Sequence, residues 1–129
     1  MSAQTEALCA LVERYFRGVD HREIDTILGT LTEDCRFTVE THRVEVIGHT
    51  AIRAMFERLW QGHTRVLHDQ FVHIPCPERG LIASQFQVTN WLPDGTTAHK
   101  SNANVFRVEG ERFSAIAVYM SGENTLHAL

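Results

Sequence analysis

Pro75-Cys76-Pro77-Glu78-Arg79-Gly80, Pro93-Asp94-Gly95 and Glu109-Gly110-Glu111 punctuate the second half of the chain, and reading them as turns decides the fold. Proline fixes a turn-compatible φ, glycine reaches positive φ, and aspartate bonds to its own backbone, so such clusters reverse the chain. Between them lie runs rich in β-branched and aromatic residues, over about 66–74, 81–92, 97–108 and 112–121. Three tight connections joining four strands predict an antiparallel meander, which buries one face when helices cover it.

The helices come from upstream. Leu8, Leu11, Val12, Tyr15, Phe16 and Val19 fall on one stripe, predicting an amphipathic helix over about residues 5–19. Asp20 followed by Glu23 resembles a capping signal, and Ile24, Ile27, Leu28 and Leu31 continue as a second, shorter helix. Cys35-Arg36-Phe37-Thr38-Val39-Glu40 alternates, the pattern of a strand with Cys35, Phe37 and Val39 inward. After the break at Gly48, Thr50 is a candidate cap for a third helical stripe of Ile52, Met55, Phe56, Leu59 and Trp60 that ends near Gly62. Residues 1–129 thus read as a single α+β domain without repeats or linkers.

At 129 residues the chain is long enough for a core that needs no disulfide or metal. A formal charge of −4 and the lack of any Lys/Arg run argue against nucleic acid or an anionic membrane as a main partner. The three cysteines, Cys9, Cys35 and Cys76, form no C-x-x-C pair, which suits a reducing compartment. Cys35 reads as a small core residue rather than a nucleophile. The N-terminus, Met1-Ser2-Ala3-Gln4-Thr5-Glu6, lacks a basic start and an apolar stretch, so a soluble, cytoplasmic protein is expected. His42, His49, His63, His68, His73, His99 and His127 lack metal-ligand spacing, and no phosphate loop, nucleophile elbow or cofactor fingerprint occurs. The expectation is chemistry without metal or cofactor, or no chemistry at all.

The order helix, helix, strand, helix and long antiparallel sheet resembles the cone-shaped fold of nuclear transport factor 2, ketosteroid isomerase and the SnoaL-like polyketide cyclases. The local matches are Val12-Glu13-Arg14-Tyr15, Leu31-Thr32-Glu33-Asp34-Cys35, Gly48-His49-Thr50-Ala51-Ile52-Arg53 and Asn104-Val105-Phe106-Arg107-Val108. The resemblance covers nearly the whole chain and implies three N-terminal helices packed on a curved, mainly antiparallel sheet. In the isomerase branch a tyrosine and a protonated aspartic acid hold the substrate oxygen while a second aspartate moves the proton. That mechanism enters here through the resemblance alone. It places Tyr15 as the tyrosine and Asn104 where the aspartic acid stands, and an amide NH2 donates at any pH. It also places Val39 where the catalytic aspartate belongs, and valine moves no proton. Glu40 is adjacent, but strand alternation turns it to the other face.

The residues themselves offer another base. His68 shares a predicted strand face with Val66, Gln70, Val72 and Ile74, and related cyclases and dehydratases carry a histidine near this point. Imidazole titrates near neutrality and can accept or deliver a proton. Asp69 is a candidate orienter, although neighbours on a strand face opposite ways. A strand amide such as Asn104 must find partners or cost about 1–3 kcal/mol, and Asn102 and Lys100 share its face as a polar lane. Under the resemblance Phe37, Val39, Phe56, Trp60, Trp91, Phe106, Ile116, Val118 and Met120 line or floor the cavity, most of them also serving as ordinary core. Such a wall suits a small, flat hydrophobic molecule.

Three functions follow as expectations. The first is a cofactor-independent isomerase, cyclase or dehydratase acting on a small carbonyl compound, with Tyr15 and Asn104 polarising the oxygen and His68 transferring the proton. The second is a noncatalytic ligand-binding domain, favoured by Val39 and by Phe56, which stands where the isomerase branch has another tyrosine. The third is a protein-interaction module. The resemblance also implies a homodimer, through an outer sheet face carrying Phe71, Ala115, Ala117 and Tyr119.

Overall fold

A computed structural model describes residues 2–128; Met1, at the head of the N-terminal stretch read above, and Leu129 lie outside the described residues. Helix α1 spans Ala3–Asp20 and opens on Ser2, whose side chain accepts from the Thr5 amide. Its buried stripe includes Leu8, Val12, Tyr15, Phe16 and Val19, as the spacing predicted. Helix α2 is a short piece, Ile24–Gly29, that crosses close to α1 at Gly18. A Cβ at Gly18 would stand 2.8 Å from Ile27 Cγ1, so only glycine lets the two helices meet.

The predicted cap at Asp20 is corrected by the structure. Glu23 occupies the cap position of α2 without a side-chain bond, and Asp20 is the last residue of α1. Leu31, predicted as helical, instead opens strand β1, Leu31–Val39, in register with Phe113. Cys35, Phe37 and Val39 are all buried, as their alternation required. A short strand β2, Val44–Ile47, pairs antiparallel with β1 and was not legible, because four residues with Ile47 exposed show no buried period. Helix α3, His49–Gln61, starts on Gly48 at φ 88°, not on Thr50. The helices are therefore not all N-terminal to the sheet: α3 enters after the β1–β2 hairpin.

Strands β3 (Arg65–Cys76), β4 (Leu81–Trp91), β5 (Thr97–Glu109) and β6 (Arg112–Tyr119) form the predicted meander. The sheet order is β2-β1-β6-β5-β4-β3, and the β1–β6 pair is parallel. Helix α1 packs on the β3–β4 end of this six-stranded sheet, while α2 and α3 cover β1. The core lies between them, centred on Tyr15, whose ring meets Phe16, Phe56, Phe106 and Phe113 edge-on at 4.9–6.3 Å. Such edge contacts add to the burial of large rings.

Strand β3 departs from simple alternation. Its register with β4 shifts between Asp69 and Val72, with Gln70 at φ 56°, the signature of a bulge. Val66 and His68 face the core before it; Phe71 packs on the core after it, while Val72 and Ile74 are exposed. The single face predicted from Val66 to Ile74 is therefore two faces, and Phe71 leaves the outer face assigned to it. Ala115, Ala117 and Tyr119 do alternate with buried Ile116, Val118 and Met120, and Tyr119 is exposed. Among the described residues no helix is long and apolar enough to cross a membrane.

Burial pushes the Cys35 thiol up to about 12, with the Asp34 carboxylate adding. In the unfolded chain the same thiol ionises near its ordinary value of 9.0. The native state thus holds this proton where the unfolded state has lost it, so Cys35 stabilises the fold below pH 9 and ceases to as pH rises toward 12. Thermal unfolding from pH 8 to 11.5 is expected to show a fall in Tm that is shallower in Cys35→Ala. Identical slopes would remove Cys35 from the alkaline transition.

Candidate active site: an Asp20–His68 pair at a small cavity

The end of α1 and the first half of β3 meet at Asp20 and His68. Asp20 Oδ1 lies 2.5 Å from His68 Nδ1, and Oδ2 accepts from the His68 backbone N–H at 2.8 Å. Both side chains are about one-tenth exposed. An ionised carboxylate only accepts, so Nδ1 carries the hydrogen and Nε2 of the neutral ring keeps its lone pair. Phe16 lies tilted against the imidazole at 4.6 Å and Phe86 packs at 5.5 Å. The orienting carboxylate is Asp20, not Asp69.

His68 lines a cavity with Tyr15, Phe16, Phe56, Asn90, Asn102 and Asn104. Tyr15 and Asn104, remote in sequence, thus both line one cavity. Burial holds the Tyr15 phenol well above its ordinary pKa, with Cys35 and Asp20 adding, so it is a neutral donor. Asn104 is buried and its Oδ1 has no partner; turning the amide offers Nδ2 to a ligand oxygen instead. Val118 and Met120 also line the cavity.

Other predicted lining residues stand elsewhere. Val39 and Ile116 are buried in the core and Phe37 and Phe106 beside them, but none lines the cavity. Trp60 turns its Nε1–H to Val19 O at 3.0 Å and stacks beside Phe56. In β4 the inward residues are Ile82, Ser84, Phe86, Val88 and Asn90, so Trp91 falls on the outer face, where the Arg65 guanidinium lies 4.6 Å from its ring centre. Glu40 is exposed in a short 3-10 turn and supplies no base in place of Val39. Asn90 was missed, although strict alternation from Ile82 places it inward.

The cavity is small, about 30 Å³, room for about one or two waters. Thr125 and Leu126 of the C-terminal segment line it too. That strap is tied down by Lys100, whose Nζ donates to Ser121 O and Glu123 O, by Asn102 Oδ1, which accepts from Ser121 N–H, and by Arg58, which donates to His127 O. Burial lowers the Lys100 pKa, partly offset by Glu123. The predicted polar lane is therefore the strap's anchor. Among the described residues no three His, Cys, Asp or Glu side chains converge as a metal site requires.

A family model for the SnoaL-like domain matches residues 12–116. This chain belongs to the SnoaL-like domain family. Solved structures share the fold of this SnoaL-like protein at low identity. A candidate polyketide cyclase from Xanthomonas campestris pv. campestris is 17% identical over 91% of this chain and 92% of its own, with a TM-score of 0.83. PrhC from Penicillium brasilianum is 12% identical over 92% and 83%, with a TM-score of 0.82. An NTF2-like protein from Anabaena variabilis is 17% identical over 95% and 92%, with a TM-score of 0.80. No curated protein matches the SnoaL-like chain.

Proposed function

We propose that this protein is a cofactor-independent acid–base enzyme that enolises a small hydrophobic carbonyl compound, the step shared by isomerisation, aldol-type cyclisation and dehydration. The observation that carries the reading is the Asp20–His68 pair on the wall that also holds Tyr15 and Asn104. His68 Nε2 takes a proton from the carbon next to the carbonyl. The electron pair moves to the carbonyl oxygen, and the Tyr15 hydroxyl and the turned Asn104 amide donate to the resulting enolate. Asp20 stabilises the imidazolium, which returns the proton to the same or another atom. The pair thus stands in for the aspartate that Val39 lacks. Ligand entry displaces Thr125 and Leu126 of the lining, because a volume of about 30 Å³ is smaller than any ketone.

Enolisation is measurable without the natural substrate. In D2O the methyl protons of acetophenone are expected to exchange faster with protein than with buffer, followed by proton NMR. Tyr15→Phe should slow the protein-dependent rate by about 10²-fold, the order lost with one oxyanion donor. No protein-dependent exchange, in the presence of saturable acetophenone binding, would leave the noncatalytic binding reading in its place.

A further inference from the structure

One cavity residue is constrained more tightly than the proposed reaction requires. Asn90 is 1% exposed, lines the cavity, and its Oδ1 is buried with no hydrogen-bond partner. With His63 as a neutral ring, its amide is held one way round. Leu59 O is an acceptor, so His63 Nδ1, 2.7 Å away, must carry the hydrogen. Nε2 of the neutral His63 ring then accepts, and Asn90 Nδ2 donates to it at 3.3 Å. The carbonyl end of Asn90 is what remains for the cavity. Asn104, by contrast, is not held by such a chain and can present either end.

We propose that Asn90 Oδ1 receives a hydroxyl group of the ligand, so that the site takes hydroxyl-bearing ketones in preference to plain ketones. The proposal rests on the carbonyl reading above and adds a second polar contact to it. A ketone oxygen cannot satisfy an acceptor. An ammonium would have to shed its water against Val19, Leu59, Val66 and Val88, apolar residues of the same lining. A neutral hydroxyl is the donor whose desolvation such a wall tolerates. With Tyr15 donating and Asn90 accepting, the wall reads a ligand that carries one acceptor oxygen and one donor oxygen on an otherwise apolar frame.

The probes are acetophenone, its 3- and 4-hydroxy derivatives and the matching methoxy derivatives, titrated into the full chain by amide NMR shifts. A hydroxy isomer should bind about tenfold tighter than acetophenone, the order expected when a buried orphan acceptor gains its donor, and its methoxy counterpart should lose the gain. Asn90→Leu should erase the preference for the hydroxy isomer over acetophenone, whereas Asn90→Asp, which keeps an acceptor, should retain it. Equal wild-type affinities for plain and hydroxylated ketones would overturn the assignment, since Oδ1 would then be satisfied by water. A preference that survives in Asn90→Leu would overturn it too. If Asn90→Leu does not fold, the wild-type series of plain, hydroxy and methoxy probes decides alone. Tight but indifferent ketone binding removes only this inference, while the absence of any ketone binding removes the carbonyl reading with it.

Discussion

His68→Ala is expected to slow protein-dependent exchange of acetophenone protons by about 10²–10⁴-fold, the range contributed by a positioned general base. The imidazole is the titratable ring on the cavity wall with Tyr15 and Asn104, and its loss removes the lone pair that accepts the proton. Asp20→Asn should cost a comparable factor by a different route. The asparagine amide can donate to Nδ1, which moves the ring hydrogen to Nε2 and leaves no lone pair facing the ligand. Added imidazole is expected to restore part of the rate in His68→Ala and none in Asp20→Asn. The two variants need a melting curve alongside, because Asp20 Oδ2 also holds the His68 backbone N–H and so ties α1 to β3. Folded variants that exchange at the wild-type rate would sink the assignment of His68 as base.

Phe106→Ala is expected to destabilise the fold by about 3–5 kcal/mol, the cost of deleting a buried aromatic ring and leaving a cavity. Phe106 is fully buried and packs 4.6 Å from Phe113 and 5.8 Å from Tyr15, ring centre to ring centre. For a chain of this length the loss should lower Tm by about 10–20 °C, read by circular dichroism. It is also expected to weaken ketone binding, since Phe106 supports the Tyr15 ring without touching the cavity itself. A drop of less than about 3 °C would show that the neighbouring rings close the gap.

The elements with long, clean periods were the legible ones. The α1 stripe, the inward Cys35, Phe37 and Val39, and the four meander strands all repeat a local geometry that a few residues suffice to display. The failures have specific causes. Asp20-x-x-Glu23 matches a capping pattern, yet the carboxylate gains more by reaching His68 on β3 than by capping a helix of six residues. The bulge between Asp69 and Val72 has no glycine to announce it; Gln70 takes the positive φ, and one extra residue reverses the faces of Phe71, Val72, His73 and Ile74. The resemblance put Trp91 in the cavity lining, but its parity in β4 turns it outward onto Arg65.

The candidate site divides the same way. Tyr15, Asn104 and His68 were named from sequence and resemblance, and all three line one cavity. Asp20, Asn90 and Leu126 acquire their parts through partners 48, 27 and, for the neighbouring His127, 69 residues away. The sequence alone determined the α+β class, the helix and strand periods and the types of residue available for chemistry, because those depend on side chains a few positions apart. The tertiary structure alone decided which carboxylate orients His68, that Asn90 joins the cavity lining and that Thr125 and Leu126 border it. Those are contacts between distant segments, and their geometry exists only once the sheet, α1 and the C-terminal strap are packed together.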